Sequence, residues 1–275
     1  MKKKHLVFIS LVVVTGLFRP SFAQFTAEEI AERGKWEKFL EEAEVVDFYQ
    51  MKSREAVTEP WVLTLEKDGV TKQAIWKDVS GRQKGFVENW KWEIAAYRID
   101  RLLGLEMVPP TIEKRFREER GSCQLWMDDT MTLEEKERKK IKTPPIKVFH
   151  WNRALYKQRT WDNLIANDDR HQRQFLITGD FRILLCDHSR SFGTGKKLTE
   201  NLIYDENYWE GPRLMKELPR SLYQNIKLLT FEKIKETVED YLTDKEIEAV
   251  LKRKDLVVDW IEKRIGAEGE DKVLY

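Results

Sequence analysis

Cysteine is nearly absent from this chain: Cys123 and Cys186 are the only two among 275 residues. One pair cannot form the disulfide framework of a small secreted module. Two readings of the pair stay open, a single bridge or two buried thiols. Internal repeats and low-complexity tracts are also missing. So is an excess of charge of one sign, with 49 Lys+Arg set against 48 Asp+Glu and a formal charge of +1. Without a whole-chain field, nucleic acid is not expected as a partner. Long apolar runs are missing too, apart from Leu6 to Phe18. That run is shorter than the roughly 20 residues needed to cross a bilayer. A basic start (Met1-Lys-Lys-Lys-His5) precedes it and a small-x-small site (Ser21-Phe22-Ala23) follows. This is the anatomy of a secretory signal peptide with a bacterial look, predicted over 1–23, with an uncleaved anchor as the alternative. Cleavage before Gln24 would remove Lys2, Lys3, Lys4 and Arg19, taking the formal charge from +1 to −3. The mature chain is then expected to be exported, periplasmic or secreted, and to hold no transmembrane segment.

What is present is apolar and aromatic material enough for a core: 41% hydrophobic residues and ten Trp. The length fits one large domain or two small lobes sharing a cleft. Thr26-Ala-Glu-Glu29 has capping-box spacing and opens a helix through about Glu42. Trp61 to Glu66 and Val70 to Val79, joined at Asp68-Gly69, read as a strand pair. A helix from about Glu88 to Leu103 should close at Gly104, a favoured residue just past a helix end. Val108-Pro-Pro-Thr111 reads as an extended link, with strands following at Ile112 to Phe116 and Cys123 to Met127. Leu133 to Lys142 is a surface helix or a mobile insert. Phe231 to Leu242 and Lys245 to Ile265 have helical periodicity, with Ile247, Leu251, Val258 and Ile261 on one stripe. The expected division is a sheet-rich part over 24–128 with its preceding helix, a helix-rich part over 129–265, and a loose tail over 266–275.

The most informative stretch runs from Asn163 to Asp187. A polar loop, Asn167 to Gln174, enters a short apolar segment, a Gly179-Asp180 turn, and a second apolar segment ending at Asp187. A tight turn between two such segments predicts a β-hairpin. Hairpin pairing places Asp169 and Asp187 at the same end despite their separation in sequence. Two carboxylates there, beside Arg170 and His171, suggest metal and phosphate chemistry. Two further residues stand out. Lys77 lies late in a strand between Trp76 and Asp78; an edge-strand lysine with its ammonium in water is the plainer explanation. Glu93 sits in a helix among Trp90, Trp92 and Tyr97, where a buried carboxylate requires a partner. Lys77 could be that partner.

The order strand lysine, helix glutamate, Asp169-Arg170-His171 loop, hairpin, Asp187 resembles a protein-kinase-like fold. It is most similar to the atypical branch that contains phosphatidylinositol 3-/4-kinases, HipA-like kinases and the secretory-pathway casein kinase of the Golgi. The likeness spans roughly Val57 to Ile265. It implies an α+β fold with two lobes, a small antiparallel-sheet N-lobe and a mostly helical C-lobe. It also implies roles: Lys77 on the α- and β-phosphates of ATP, Glu93 fixing its ammonium, and Asp169 receiving or orienting the acceptor hydroxyl. Asp187 would bind Mg²⁺ or Mn²⁺, with Gln174 standing where most relatives have a second metal ligand, Asn. The backbone near Leu125 to Met127 would be the adenine-binding hinge. Such sites work by positioning and charge neutralisation.

Two departures accompany the resemblance. Gln174 has one methylene more than Asn, and no glycine occurs between Ser53 and Lys67, where a phosphate-covering loop would lie. The function implied is an exported ATP-dependent phosphotransferase acting on a hydroxyl of a protein, lipid or sugar. A pseudokinase that binds nucleotide or a partner without turnover is the alternative. An interaction protein with no nucleotide site is a third reading. His171 and His188 with Asp169 and Asp187 could instead hold Zn²⁺ in a hydrolytic centre. On the resemblance, Cys186 would lie beside the adenine pocket near Cys123, where a bridge would tie the lobes together.

Overall fold

A computed structural model describes residues 24–52, 59–83 and 85–275. The expected signal segment, 1–23, lies outside them. Most of the stretch expected to cover phosphates, 53–58, lies outside them too.

Thr26 caps the first helix, α1 (Ala27–Glu42), and Glu29 answers back to the Thr26 amide, completing the capping box that the spacing predicts. Five antiparallel strands form the N-terminal sheet in the order β1-β2-β3-β7-β6. These are β1 (Glu44–Gln50), β2 (Trp61–Lys67), β3 (Val70–Lys77), β6 (Thr111–Phe116) and β7 (Glu119–Leu125). Alternation along β2 and β3 drives Leu63, Leu65, Ala74 and Trp76 onto one face, where α1 covers them with Phe39 and Leu40. Trp76 is fully buried there and donates its indole N–H to the Lys114 carbonyl at 2.9 Å. The opposite face of β3 presents Ile75 and Lys77. β1 has no sequence counterpart in the expectations, since its side chains are mostly exposed and follow no period.

Between β3 and the next helix sits a short hairpin, β4 (Ser80–Gln83) with β5 (Phe86–Asn89). Glu88 therefore belongs to a strand, and α2 runs Trp90–Leu103. Asn89 caps it through the Lys91 amide, and Gly104 ends it in the left-handed conformation at φ 64°.

The C-terminal lobe opens with β8 (Thr130–Thr132) and α3 (Leu133–Arg138), so the charged 133–142 segment begins as a helix capped by Thr132. A long helix, α4 (Val148–Ile165), leads into the loop bearing Asp169. The anticipated hairpin forms as β9 (Phe175–Thr178) with β10 (Ile183–Leu185), and β8 adds to β9 as a third strand. The positive φ of its turn falls on Phe181 (68°) rather than on Gly179. After α5 (Lys196–Glu200) come α6 (Arg220–Lys227), α7 (Phe231–Val238), α8 (Asp244–Glu268) and α9 (Glu270–Val273). α8 buries Ile247, Val250, Val257 and Ile261, while Leu251 and Val258 lie at the rim of that stripe.

The expected loose tail, 266–275, is instead docked. Val273 and Leu274 are buried, and Leu218 gives its amide to the Val273 carbonyl at 2.9 Å while its own carbonyl accepts the Tyr275 amide at 3.0 Å. Two apolar residues at the end of a charged stretch found a groove beside α6, which local polarity could not reveal. Among the described residues no helix is long and apolar enough to cross a membrane.

Candidate active site

Lys77 is the last residue of β3, a central strand flanked by β2 and β7, so the edge-strand explanation fails. Its Nζ donates to Glu93 Oε1 at 2.6 Å and to Asp187 Oδ1 at 2.7 Å. One cation from the sheet thus joins a carboxylate of α2 to a carboxylate of the other lobe. Gly121 makes this geometry possible. A Cβ there would lie 2.4 Å from the Lys77 carbonyl oxygen and 2.6 Å from the Trp76 ring.

Glu93 lies in the first turn of α2, where the helix dipole favours negative charge. It is almost fully buried, and its second oxygen accepts the His188 amide at 2.8 Å. Asp187 follows β10 with φ 61°, a left-handed conformation that a non-glycine residue adopts at a cost of about 1–2 kcal/mol. The strain turns its carboxylate toward Lys77. Oδ1 also accepts the Ser189 hydroxyl at 3.1 Å, and Oδ2 accepts Gln174 Nε2 at 3.3 Å.

Electrostatics follow from this packing. Burial pulls the Lys77 ammonium down, but Asp187 and Glu93 together outweigh it and hold Lys77 well above the usual lysine range. Burial likewise opposes ionisation of Asp187 and Glu93, and the charge of Lys77 overrides it, holding both below the usual carboxylate range. Asp169 behaves differently. Burial raises it, Arg190 opposes the rise and Asp187 adds to it, so it lies above the ordinary aspartate value.

Asp169 is reached from α4 through Ala166, left-handed at φ 55°, and Asn167, whose Oδ1 accepts the Asp169 amide at 3.2 Å. Arg190 Nη1 donates to Asp169 Oδ1 at 3.0 Å. The hairpin therefore does gather Asp169 and Asp187 at one end, with Lys77 beside them.

Arg170 is held differently. It turns inward, 1% exposed, to grip both oxygens of the fully buried Asp162 at 3.0 and 2.9 Å. It also donates to the Cys186 carbonyl at 2.7 Å and the Gln174 carbonyl at 3.3 Å. A planar, forked cation suits this work of tying α4, the loop and the hairpin together.

The zinc arrangement is not present. Among the described residues no group of three or more His, Cys, Asp or Glu side chains can hold a metal ion. His188 is fully buried, and its Nε2 accepts the Trp161 indole N–H at 3.3 Å. That bond leaves the proton on Nδ1, which faces Glu93 at 3.7 Å. His171 gives its backbone amide to Gln174 Oε1 at 3.2 Å. Gln174 therefore offers its NH₂, not its oxygen, to Asp187. A hard ion coordinated by ATP phosphates and water needs only one or two carboxylates, which Asp187 can supply. The acid side chains fit such an ion; Gln174 fits it only after its amide rotates.

At the expected hinge, Leu125 gives its amide to the Pro110 carbonyl and Trp126 gives its amide to Gln73. The Leu125 side chain lies in the α1-facing core, as does that of Cys123, which pairs with Trp76 across the strands. Cys123 and Cys186 are both free. The bridge fails because Cys123 points to the α1 side of the sheet, away from the cleft. Burial pushes both thiols up to about 12.

Sequence reasoning missed Glu88, Ser189 and Arg190. Ser189 and Glu88 are buried, and Arg190 Nε and Nη2 both meet Glu88 Oε1, at 3.0 and 2.9 Å. A cavity of about 720 Å³ opens beside Asp169, lined by Trp151, Arg159, Tyr204, Tyr208 and Trp209 among others.

No family model matches the chain, and no curated protein matches it in sequence. Among solved structures it is similar to the crystal structure of the Golgi casein kinase, with a TM-score of 0.65 at 16% identity. The match covers 92% of this chain and 80% of the other. At that identity the likeness speaks for architecture alone. This chain has the α+β, two-lobed, kinase-like fold: a small antiparallel-sheet lobe, a mostly helical lobe, and Lys77, Glu93 and Asp187 meeting where the two adjoin.

Proposed function

We propose that this protein is an ATP-dependent phosphotransferase that moves the γ-phosphate to a hydroxyl group of a protein, lipid or sugar. The observation that carries the reading is the placement of Lys77 Nζ between Glu93 and Asp187, at 2.6 and 2.7 Å. An ammonium held by one buried and one half-exposed carboxylate is a ready phosphate partner. Glu93 keeps it in place while Asp187 is free to turn to a cation. The structural likeness to a casein kinase supports the same reading.

Mg²⁺ or Mn²⁺ supplies charge neutralisation on the phosphates when bound, and Asp187 is the carboxylate that would hold it, with Gln174 as a second ligand once its amide turns. Lys77 would steady the α- and β-phosphates. Met127 is the hinge residue whose amide remains for adenine among the described residues, since those of Leu125 and Trp126 are already given away. Asp169 would take the acceptor proton. The cavity beside it, with its open aromatic rim, would receive the acceptor.

One observation favours the second reading, a pseudokinase: Gln174 turns its NH₂ toward Asp187. Thermal-shift titration with ATP, with and without Mn²⁺, followed by single-turnover measurement of γ-phosphate loss, decides between them. Stabilisation by ATP–Mn²⁺ with phosphate loss supports the transferase. Stabilisation without loss supports the pseudokinase, and no stabilisation removes both.

We further propose export, on the basic and apolar start of the chain and its Ser21-Phe22-Ala23 site. N-terminal sequencing of the mature protein should read from near Gln24; a start at Met1 in the exported fraction would overturn this.

A further inference from the structure

Arg190 is a cation posted between the two lobes. Its Nε and Nη2 both donate to Oε1 of Glu88 on β5, and its Nη1 donates to Oδ1 of Asp169. The guanidinium lies over the Phe86 ring at 4.3 Å from the centroid. Glu88 is 3% exposed and Arg190 is 14% exposed by side chain, so the pair is held in a dry, fixed geometry. The β5 end is itself fastened to this segment, because the Asn89 amide donates to the Ser189 carbonyl at 2.9 Å. Ser189 completes the arrangement by spanning Glu88 at 3.3 Å and Asp187 at 3.1 Å.

Three contacts fix the Arg190 side chain before Asp169 is considered: two hydrogen bonds to Glu88 and one aromatic face. Its third nitrogen, Nη1, meets only one of the two Asp169 oxygens. Oδ2 of Asp169 receives no hydrogen bond among the described residues, and Asp169 lines the open cavity beside the loop. A carboxylate with one oxygen pinned and one free has a single orientation in which to meet a hydroxyl. Charge-assisted, forked contacts give such orientation its rigidity.

We propose that Arg190, anchored by Glu88, is a positioning residue that holds Asp169 Oδ1 and so presents Oδ2 to the acceptor hydroxyl. This rests on the phosphotransferase reading. In the step it serves, the acceptor oxygen bonds to the γ-phosphorus as its proton passes to Oδ2. The bond from that phosphorus to the β–γ bridging oxygen breaks, and ADP leaves with the electron pair. The assignment differs from that of Lys77, because Arg190 acts on the carboxylate and not on the nucleotide.

The test uses the mature chain with ATP and Mn²⁺, reading ADP release with water as the acceptor, ATP affinity by titration, and melting temperature. Arg190→Gln keeps a donor group but loses the fork and the charge. It should lower ADP release about 100-fold, the scale of a displaced general base, with ATP affinity and KM within about twofold. Arg190→Lys should recover about tenfold of that loss. Glu88→Gln should give an intermediate loss, and the double variant should be no slower than Arg190→Gln alone, as expected for residues acting through one carboxylate. Wild-type turnover in Arg190→Gln would overturn the assignment. So would a loss of turnover matched by a loss of ATP affinity; the melting temperature is expected to fall with the lost Glu88 pair, and it sets the temperature below which every variant is assayed fully folded. Wild-type protein that binds ATP–Mn²⁺ yet releases no ADP overturns it too, while the nucleotide site stands. Wild-type protein that binds no ATP removes the phosphotransferase reading itself.

Discussion

Two basic side chains approach the aspartate hairpin, and the protein uses them in opposite ways. Arg170 is 1% exposed and spends four of its five N–H donors on Asp162 and on two backbone carbonyls. Among the described residues Lys77 has only carboxylate partners, and one of them, Asp187, is 39% exposed. The first arrangement is closed and costly to break. The second is an ion pair at a cleft, and the proposed function requires its partners to be exchanged for phosphate and metal. The difference teaches that buried charge alone does not tell a structural staple from a candidate functional group; an accessible partner separates the two.

Substitutions should separate these roles. The largest effect is expected at the open cation: Lys77→Ala should lower γ-phosphate loss from ATP by about 1,000-fold or more, the scale attached to a lost phosphate-clamping cation. Single-turnover kinetics reads this directly, and activity within tenfold of wild type would place phosphate binding elsewhere. At the closed cation the effect moves to stability. Arg170→Ala strands Asp162 in the interior, and losing one partner of such a pair costs about 3–5 kcal/mol. Denaturant unfolding should show that loss, and a variant as stable as wild type would mean that the staple holds nothing.

Gly121→Ala probes the support beneath Lys77. The added methyl meets the Lys77 carbonyl and Trp76 ring, and overpacking of this kind costs about 1–3 kcal/mol. Turnover should fall here only as the folded fraction falls, whereas Lys77→Ala should lower the turnover of the fully folded protein. The smallest effect concerns acid. Asp187 is held below its ordinary value of 3.8, so its pairing contributes stability above that pH and loses it as pH falls further. Asp187→Asn should flatten the dependence of melting temperature on pH in the acid range. An unchanged acid limb would mean that the pairing with Lys77 does not persist in solution.

Much of this is legible in the sequence. The hairpin was written in two apolar segments and a Gly-Asp turn, and it predicted that Asp169 and Asp187 would meet. Thr26 and Gly104 announced a helix start and a helix end by local chemistry that does not depend on tertiary structure. Glu93 was legible as a buried carboxylate in want of a partner, and Lys77 is that partner.

The rest depended on long-range packing. Ser80 to Gln83 has no apolar period, so the β4–β5 hairpin leaves no sequence signature, and Glu88 falls at the predicted start of the following helix. Arg190 then had no visible anchor. Nothing local distinguishes an arginine that turns inward, as Arg170 does, from one that faces a ligand. Strand alternation could have placed Cys123 and Leu125 on the Trp76 side of the sheet, but only once the β3–β7 register was known. The docked tail depends on a groove beside α6, far away in the chain.

The claim on which all of this rests is that Lys77 and Asp187 form a nucleotide–metal site. Thermal melting of the mature chain with ATP, with and without Mn²⁺, alongside Asp187→Asn, measures it most directly. Ligand at 100 times its dissociation constant should stabilise the wild type by about 2.7 kcal/mol, with the Mn²⁺-dependent part lost in Asp187→Asn. Equal melting of the wild type with and without ATP–Mn²⁺, or the same Mn²⁺-dependent gain in Asp187→Asn, would contradict it.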